Sequence, residues 1–374
     1  MKKLFIFLVG MHLFSAVYSQ EKKPLLIGDP APEIRFSKWL KGTPVTSFAK
    51  GKMYVIECWA TWCGPCIAAM PHLSELAAKY KDKVTFIGFN VWEKIPEDQP
   101  YETVLPRVTK FVENLGDKMS YNVAVDDDNR YMAKNWLARA KAPGIPTTFL
   151  VKDGKFIWIG HPKGLEAMII QVENGTYDMA AARKGHEASI DMSKKAASEE
   201  NKLVLPIDSA VAAKDYNKAF ALMDKAVTEK PLLKYTMNIR RFKTLLDFVG
   251  EKQALEFSEE WKKKEGEHGS VYFAQAIVEK KGYSKETYLY AASQFEKASG
   301  GSSTVNPMYY DLIGTSYALA GDFENASVAQ AKAVQMSKAA LKDGKFSGII
   351  LDYTVTEYEE KLKTYQAKSM VKNK

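Results

Sequence analysis

Cysteine is scarce in this chain of 374 residues: there are three, and all lie in the stretch Cys58-Trp59-Ala60-Thr61-Trp62-Cys63-Gly64-Pro65-Cys66. Cysteines so tightly grouped cannot staple a large fold together. A bridge between Cys63 and Cys66 would close a loop too small to stabilise much through chain entropy. Histidine is scarce as well, with five in all: His12, His72, His161, His186 and His268. None is in a paired spacing, so a zinc site would lack the two further ligands it needs, and no metal is expected. With crosslinking and metal binding poorly supported, redox chemistry remains for the cysteines.

Other absences narrow the field further. The formal charge of +8 is dispersed among acidic residues, with no basic block interleaved with aromatics, so nucleic-acid binding is not expected. Apart from the N-terminus, no window is apolar enough for a transmembrane helix, and 46% hydrophobic residues suit a globular chain without stable membrane insertion. The first nineteen residues, MKKLFIFLVGMHLFSAVYS, have the layout of a signal peptide: Lys2 and Lys3, an apolar run from Leu4 to Phe14, then small residues. Cleavage after Ser19 would leave Gln20 first, with no cysteine for lipid anchoring. An exported protein is expected, periplasmic if the source is a Gram-negative bacterium. The remaining 20–374 exceed the usual size of a single core, which predicts about two domains.

What is present begins with a strand-to-helix transition. Met53 to Trp59 is an apolar, β-branched and aromatic run after Gly51, the pattern of a buried strand. From Ile67 to Tyr80 the chain is rich in Ala and Leu, with Met70, Leu73 and Leu76 at helical spacing. The Cys-Gly-Pro-Cys turn therefore sits at a predicted helix N-terminus, whose unpaired N–H groups and positive dipole end favour a thiolate. Cys63 is expected to be the activated nucleophile, with Cys66 one helical turn on to resolve a mixed disulfide.

Trp-Cys-Gly-Pro-Cys after a buried strand resembles the thioredoxin superfamily, in particular its exported TlpA-like (ResA-like) branch. The resemblance runs from about Ile27 to Gly175 and includes the leading segment IGDPAPEI, Pro71 five residues after Cys66, and the loop Gly144-Ile145-Pro146-Thr147-Thr148-Phe149-Leu150. It implies a cis proline at Pro146 beside Cys63, with Ile145, Pro146 and Thr147 framing a substrate strand. It also implies a proton-transfer role for Glu57, six residues before Cys63, where the family has a buried aspartate; a carboxylate inside an apolar strand must be paired, protonated or useful. Trp62 is expected to shape the exposed rim, Trp59 to pack beneath it, and Cys58 to be a small core residue. His161, ending a hairpin, reads as surface. Strands at Val84–Val91, Tyr121–Val125 and Thr147–Val151, helices at Glu102–Leu115 and Asn129–Leu137, and a long crossover from Trp92 to Ser120 complete an α/β domain with a central mixed sheet flanked by helices.

Beyond about Tyr177 strand signals vanish. The expected organisation is a signal peptide over 1–19, a thioredoxin-like domain over 20–178, a charged helical connector over 179–202 and an all-α helical-repeat domain over 203–374. Ala219, Ala254, Ala291 and Ala326 recur at spacings of 35, 37 and 35 residues, close to the tetratricopeptide period, and Tyr310 to Phe323 resembles that consensus. Such a stack would offer a surface for a partner protein.

The resulting expectation is an exported thiol-disulfide oxidoreductase acting as a protein-disulfide reductase. Its substrates would be protein or small-molecule disulfides, re-reduction would come from an upstream thiol donor, and no cofactor would be needed. Isomerase or oxidant activity of the same chemistry, and a periplasmic binding scaffold whose helical half does the work, are the alternatives. A thiol peroxidase would need a Pro-x-x-x-Thr-x-x-Cys loop, and position 60 is Ala.

Overall fold

The computed structural model describes residues 23–95, 99–266, 269–300, 306–343, 350 and 352–372. The expected signal peptide lies outside the described residues. Six strands form one sheet in the order β1-β4-β3-β2-β5-β6. They are β1 (Lys38–Lys41), β2 (Met53–Trp59), β3 (Val84–Asn90), β4 (Asn122–Val125), β5 (Thr147–Lys152) and β6 (Lys155–Gly160). β2, β3 and β4 run parallel, while β1, β5 and β6 pair antiparallel with their neighbours.

β2 lies between β3 and β5 and is buried along its whole length, which is why it reads as an unbroken apolar run rather than an alternating one. Its two faces feed two cores. Met53, Val55 and Trp59 join Cys63, Cys66, Met70, Leu73, Val108 and Phe111 under helices α1 (Gly64–Lys79) and α2 (Leu105–Leu115). Tyr54, Ile56 and Cys58 join Trp136, Phe149 and Phe156 on the other side. The expected hairpin closes through Asp153 and Gly154, both at positive φ, the backbone of a two-residue turn. Its register carries Phe156 back against Phe149, and α3 (Leu165–Glu173) follows.

Three expectations are refined. The Glu102–Leu115 helix is a 3₁₀ turn (Tyr101–Val104) followed by α2, with Pro106 in its first turn. The Asn129–Leu137 helix is a short π-type turn (Ala133–Leu137). Its start is fixed by the buried Asp126 carboxylate, which accepts from the N–H groups of Asp127, Met132 and Ala133. The edge strand β1 had no counterpart among the expected elements, because four residues with two lysines carry no period-2 signal.

The segment 179–202, expected as a helical connector, is helical and does not end at 202. It is the first part of one continuous helix, α4 (Met179–Ala212), capped by Asp178 and passing through Pro206 into the helical half. Its start is docked on the sheet domain: Arg183 donates to the Ile27 carbonyl at 2.7 Å and the Asp29 carboxylate at 2.8 Å, and Ile190 is buried.

Helices α5 (Tyr216–Glu229), α6 (Lys234–Thr244), α7 (Glu251–Glu265), α8 (Ser270–Val278), α9 (Lys285–Gly300), α10 (Met308–Leu319), α11 (Phe323–Lys342) and α12 (Asp352–Lys372) then pack largely in sequence order. The four periodic alanines, Ala219, Ala254, Ala291 and Ala326, are fully buried in α5, α7, α9 and α11. Asp215 and Asp322, each four residues before its alanine, accept from the backbone N–H of Lys218 and Asn325 and so start α5 and α11. α12 closes the chain by packing on α11 and touching α2.

Trp136 packs edge-on against both Phe149 and Phe156 and near Phe48 with no exposed surface. Trp136→Ala is expected to cost about 3–5 kcal/mol, read as a lowered urea midpoint. A midpoint within error of wild type would show that this cluster does not hold the sheet domain.

Candidate active site

The C-terminal end of β2 delivers the chain to a tight turn, and α1 begins at once. Cys63 is the N-cap of α1, and the N–H of Cys66 points at its Sγ at 3.2 Å. That N–H is one of the orphan donors of the helix start, and with the helix dipole it favours negative charge on the Cys63 sulfur. The two cysteines are joined as a disulfide. Cys63 retains 3% of its surface exposed and Cys66 none, so an incoming group reaches Cys63 first.

The second wall of the site is the loop before β5. The Ile145–Pro146 peptide is cis, and the Ile145 carbonyl lies 3.6 Å from Cys63 Sγ. Thr147 is turned inward, its hydroxyl donating to the Gly144 carbonyl at 2.6 Å, which holds the loop. On the opposite side Trp62 is 46% exposed, pinned by its indole N–H to the Trp92 carbonyl at 2.8 Å, with the Lys94 ammonium over its ring. Trp59 is buried and stacks on Phe111. Cys58 is buried and free on the other face of β2, among the Trp136 core, and burial pushes its thiol well up.

Glu57 is 1% exposed, pairs with Gly88 and Thr148 in the sheet, and has no hydrogen-bond partner for either carboxylate oxygen among the described residues. By strand alternation it shares the α1 side of β2 with Val55 and Trp59. Burial alone raises its carboxyl to about 8, so the group is mostly protonated at neutral pH. The hydroxyl of Tyr121 and the indole N–H of Trp59 are likewise buried and without partners, and both rings converge over the backbone of Gly88.

A second buried carboxylate, absent from the sequence-based set of candidates, contrasts with it. Glu93 accepts from the Thr61 N–H and hydroxyl, both at 2.7 Å, from Asn90 at 2.7 Å and from Arg107 at 2.8 Å. It thus ties the turn before Cys63 to the loop after β3 and to α2. The signal was available: Glu93 follows an apolar strand directly, as Glu57 interrupts one. No group of three or more His, Cys, Asp or Glu side chains among the described residues could hold a metal ion.

A dithiol pair at a helix N-terminus beside a cis-proline loop, on a mixed sheet, defines a thioredoxin-like oxidoreductase. A model of the Redoxin family matches residues 26–165. The chain is 31% identical over 156 residues to Protein FixW of Rhizobium leguminosarum, covering 41% of this chain and 68% of that one. It is 30% identical over 152 residues to the thiol-disulfide oxidoreductase ResA of Bacillus anthracis, covering 40% of this chain and 77% of that one. A thiol:disulfide interchange protein from Bacteroides sp. overlays with a TM-score of 0.32 at 23% identity, over 41% of this chain and 94% of the other. The chain belongs to this redoxin family of ResA-like thiol-disulfide oxidoreductases. The helical half lies beyond the matched residues.

Two outcomes follow from the carboxylates. Because Glu57 titrates near 8 in the fold against about 4.5 when exposed, its contribution to stability is full below about pH 4.5 and is lost as pH rises through about 8. Unfolding of the oxidised protein should therefore become easier across that window by a few kcal/mol, and the decline should flatten in Glu57→Gln. Parallel pH profiles for the two proteins would refute it. Glu93→Ala should cost roughly 2–4 kcal/mol in denaturant unfolding and slow disulfide exchange at Cys63, with Glu93→Gln intermediate, since the variant strands the four donors of Thr61, Asn90 and Arg107. An exchange rate equal to wild type would show that Thr61 needs no tether.

Proposed function

We propose that this thiol-disulfide oxidoreductase is exported and works as a protein-disulfide reductase. The observation that carries the reading is the Cys66 N–H aimed at the Cys63 sulfur, with the Ile145 carbonyl across from it. The reduced pair starts as a Cys63 thiolate and a Cys66 thiol. The thiolate attacks one sulfur of a substrate disulfide, forming the mixed disulfide and releasing the other sulfur as a thiolate. Cys66, deprotonated, then attacks Cys63, the mixed bond breaks, and the substrate leaves with both its sulfurs reduced while Cys63 and Cys66 are oxidised to the disulfide. Two electrons pass to the substrate, and an upstream thiol donor must return them.

Cys66 has no exposed surface, so its proton needs an internal acceptor, and Glu57, unpaired and poised near 8, suits that task. Ile145, Pro146 and Thr147 frame an extended substrate segment, with Trp62 on the opposite rim. The signal-peptide layout of residues 1–19 supports export, and the proline between the cysteines favours the reducing direction. The helical half is read as tetratricopeptide-like and as a surface for a partner, on the period and burial of its four alanines.

The test is the reduction potential of the Cys63/Cys66 pair in thiol-disulfide buffers. A value near about −270 mV fits a reductase, whereas one above roughly −180 mV would make the protein an oxidant or isomerase. Cys66→Ser should accumulate mixed disulfides through Cys63, and Cys63→Ser should accumulate none. Retention of the cellular role by the double serine variant would instead favour the scaffold reading.

A further inference from the structure

Glu57 stands in the middle of β2, opposite Gly88 of β3 on one side and Thr148 of β5 on the other, and residues so paired present the same face of the sheet. That face is the one covered by α1, where Cys66 is buried with Val55, Trp59, Tyr121 and Leu150. Three polar groups share it with Glu57: the Thr148 hydroxyl, the Tyr121 hydroxyl and the Trp59 indole N–H. All three are buried and, among the described residues, without a hydrogen-bond partner. Buried polar groups are ordinarily paired, so three idle donors beside one idle carboxyl call for a joint explanation.

Geometry brings them within reach of one another. The Cβ atoms of opposed residues on antiparallel strands lie about 5 Å apart, so a change of rotamer can carry the Glu57 carboxylate to the Thr148 hydroxyl. On the other side Gly88 leaves the face open: a Cβ there would lie 3.2 Å from Trp59 Nε1 and 3.0 Å from the Tyr121 ring. Both donors therefore lean over the position next to Glu57. Burial, and then the charge of Glu57, push the Tyr121 hydroxyl well up, so it stays a protonated donor. Burial alone acts on Glu57, with no contribution from a charged side chain among the described residues. The titratable groups on its side are Cys63 and Cys66 of α1 and Tyr121 ahead of β4. β3 and β5 offer Gly88 and Thr148, α2 offers Val108, Phe111 and Val112, and Cys58 faces the other core.

We propose that Tyr121 and Thr148, together with the Trp59 indole, are positioning residues that hold Glu57 as a carboxylate in the reduced protein for the step in which it takes the Cys66 proton. The inference rests on the reading of Glu57 as the acceptor for Cys66. In that step the S–H bond of Cys66 breaks and an O–H bond forms on Glu57. The Cys66 thiolate then attacks Cys63 Sγ, and the substrate sulfur leaves with the bonding pair as a thiolate. A bare carboxylate in this core would be too costly to serve as the base. The three donors offset that cost while the proton is still on sulfur. Once the disulfide has formed, Glu57 carries the proton and the donors are released, which is the arrangement of the disulfide-bonded form.

The experiment mixes the pre-reduced full chain with dithiobis(nitrobenzoate), which releases one coloured thiolate when Cys63 attacks and a second when Cys66 resolves the mixed disulfide. Tyr121→Phe with Thr148→Val should slow the second release about tenfold at neutral pH and move the midpoint of its pH profile up by about one unit, leaving the first release unchanged. Each single variant should show part of the shift, so the test stands even if the double variant does not fold. In a Glu57→Gln background the same two changes should make no further difference. A second release as fast as wild type, an equal slowing of both releases, or the same loss in the Glu57→Gln background would each overturn the proposal. Glu57→Gln by itself separates the two levels. If it leaves the second release and its pH profile unaltered, the acceptor reading fails first; if it slows that release while the hydroxyl variants do not, the positioning proposal fails alone.

Discussion

The contact on which the rest of the site depends is that between the Cys66 N–H and the Cys63 sulfur. It exists because α1 begins only four residues after β2 ends, and that short turn is tethered through Thr61, so the helix start has little room to drift. A helix start has N–H groups that its own turns cannot satisfy. Here one of them is directed at a sulfur, and the surroundings serve to keep it so. Pro65 is at home in the first turn, where its missing N–H costs nothing. Glu93 holds the turn before Cys63 from one side, and the 144–147 loop closes from the other.

The two buried carboxylates show how environment divides roles between like groups. Glu93 is saturated: donors from three side chains and a backbone amide offset its desolvation, and it behaves as a fixed strut. Glu57 has no such partners, so burial resolves its cost by protonation instead. A saturated carboxylate has little to gain by moving a proton, whereas an isolated one near neutrality can accept or release one at small cost.

Much of the sheet domain was legible in the chain. The unbroken apolar run of β2, the helical spacing after Cys66 and the hairpin around Asp153 and Gly154 each state their element locally. Legibility ended where placement depended on distant residues. Thr61 gives no hint that Glu93 will hold it, because the pair meets only after β3 has been laid beside β2. β1 exists by pairing with β4 and has no period of its own. The charged 179–202 segment read as a helical connector because its exposed face dominates its composition; its docking depends on a few side chains, among them Arg183, His186 and Ile190, whose partners lie far away in the chain. In the helical half the spacing of small residues was readable, since helices packed closely need alanine at the crossing points, while nothing local says which groove a ligand would use.

That α4 is one helix has a mechanical meaning. From its cap at Asp178 to Pro206 it is a rod of roughly 40 Å, stiff over that length, rooted in the sheet domain at one end and built into the α5 packing at the other. Such a rod transmits rotation rather than absorbing it. Because its first turns are fastened to the sheet domain through Arg183, His186 and Ile190, a tilt of the helical half is not taken up within the rod and must be met at those contacts.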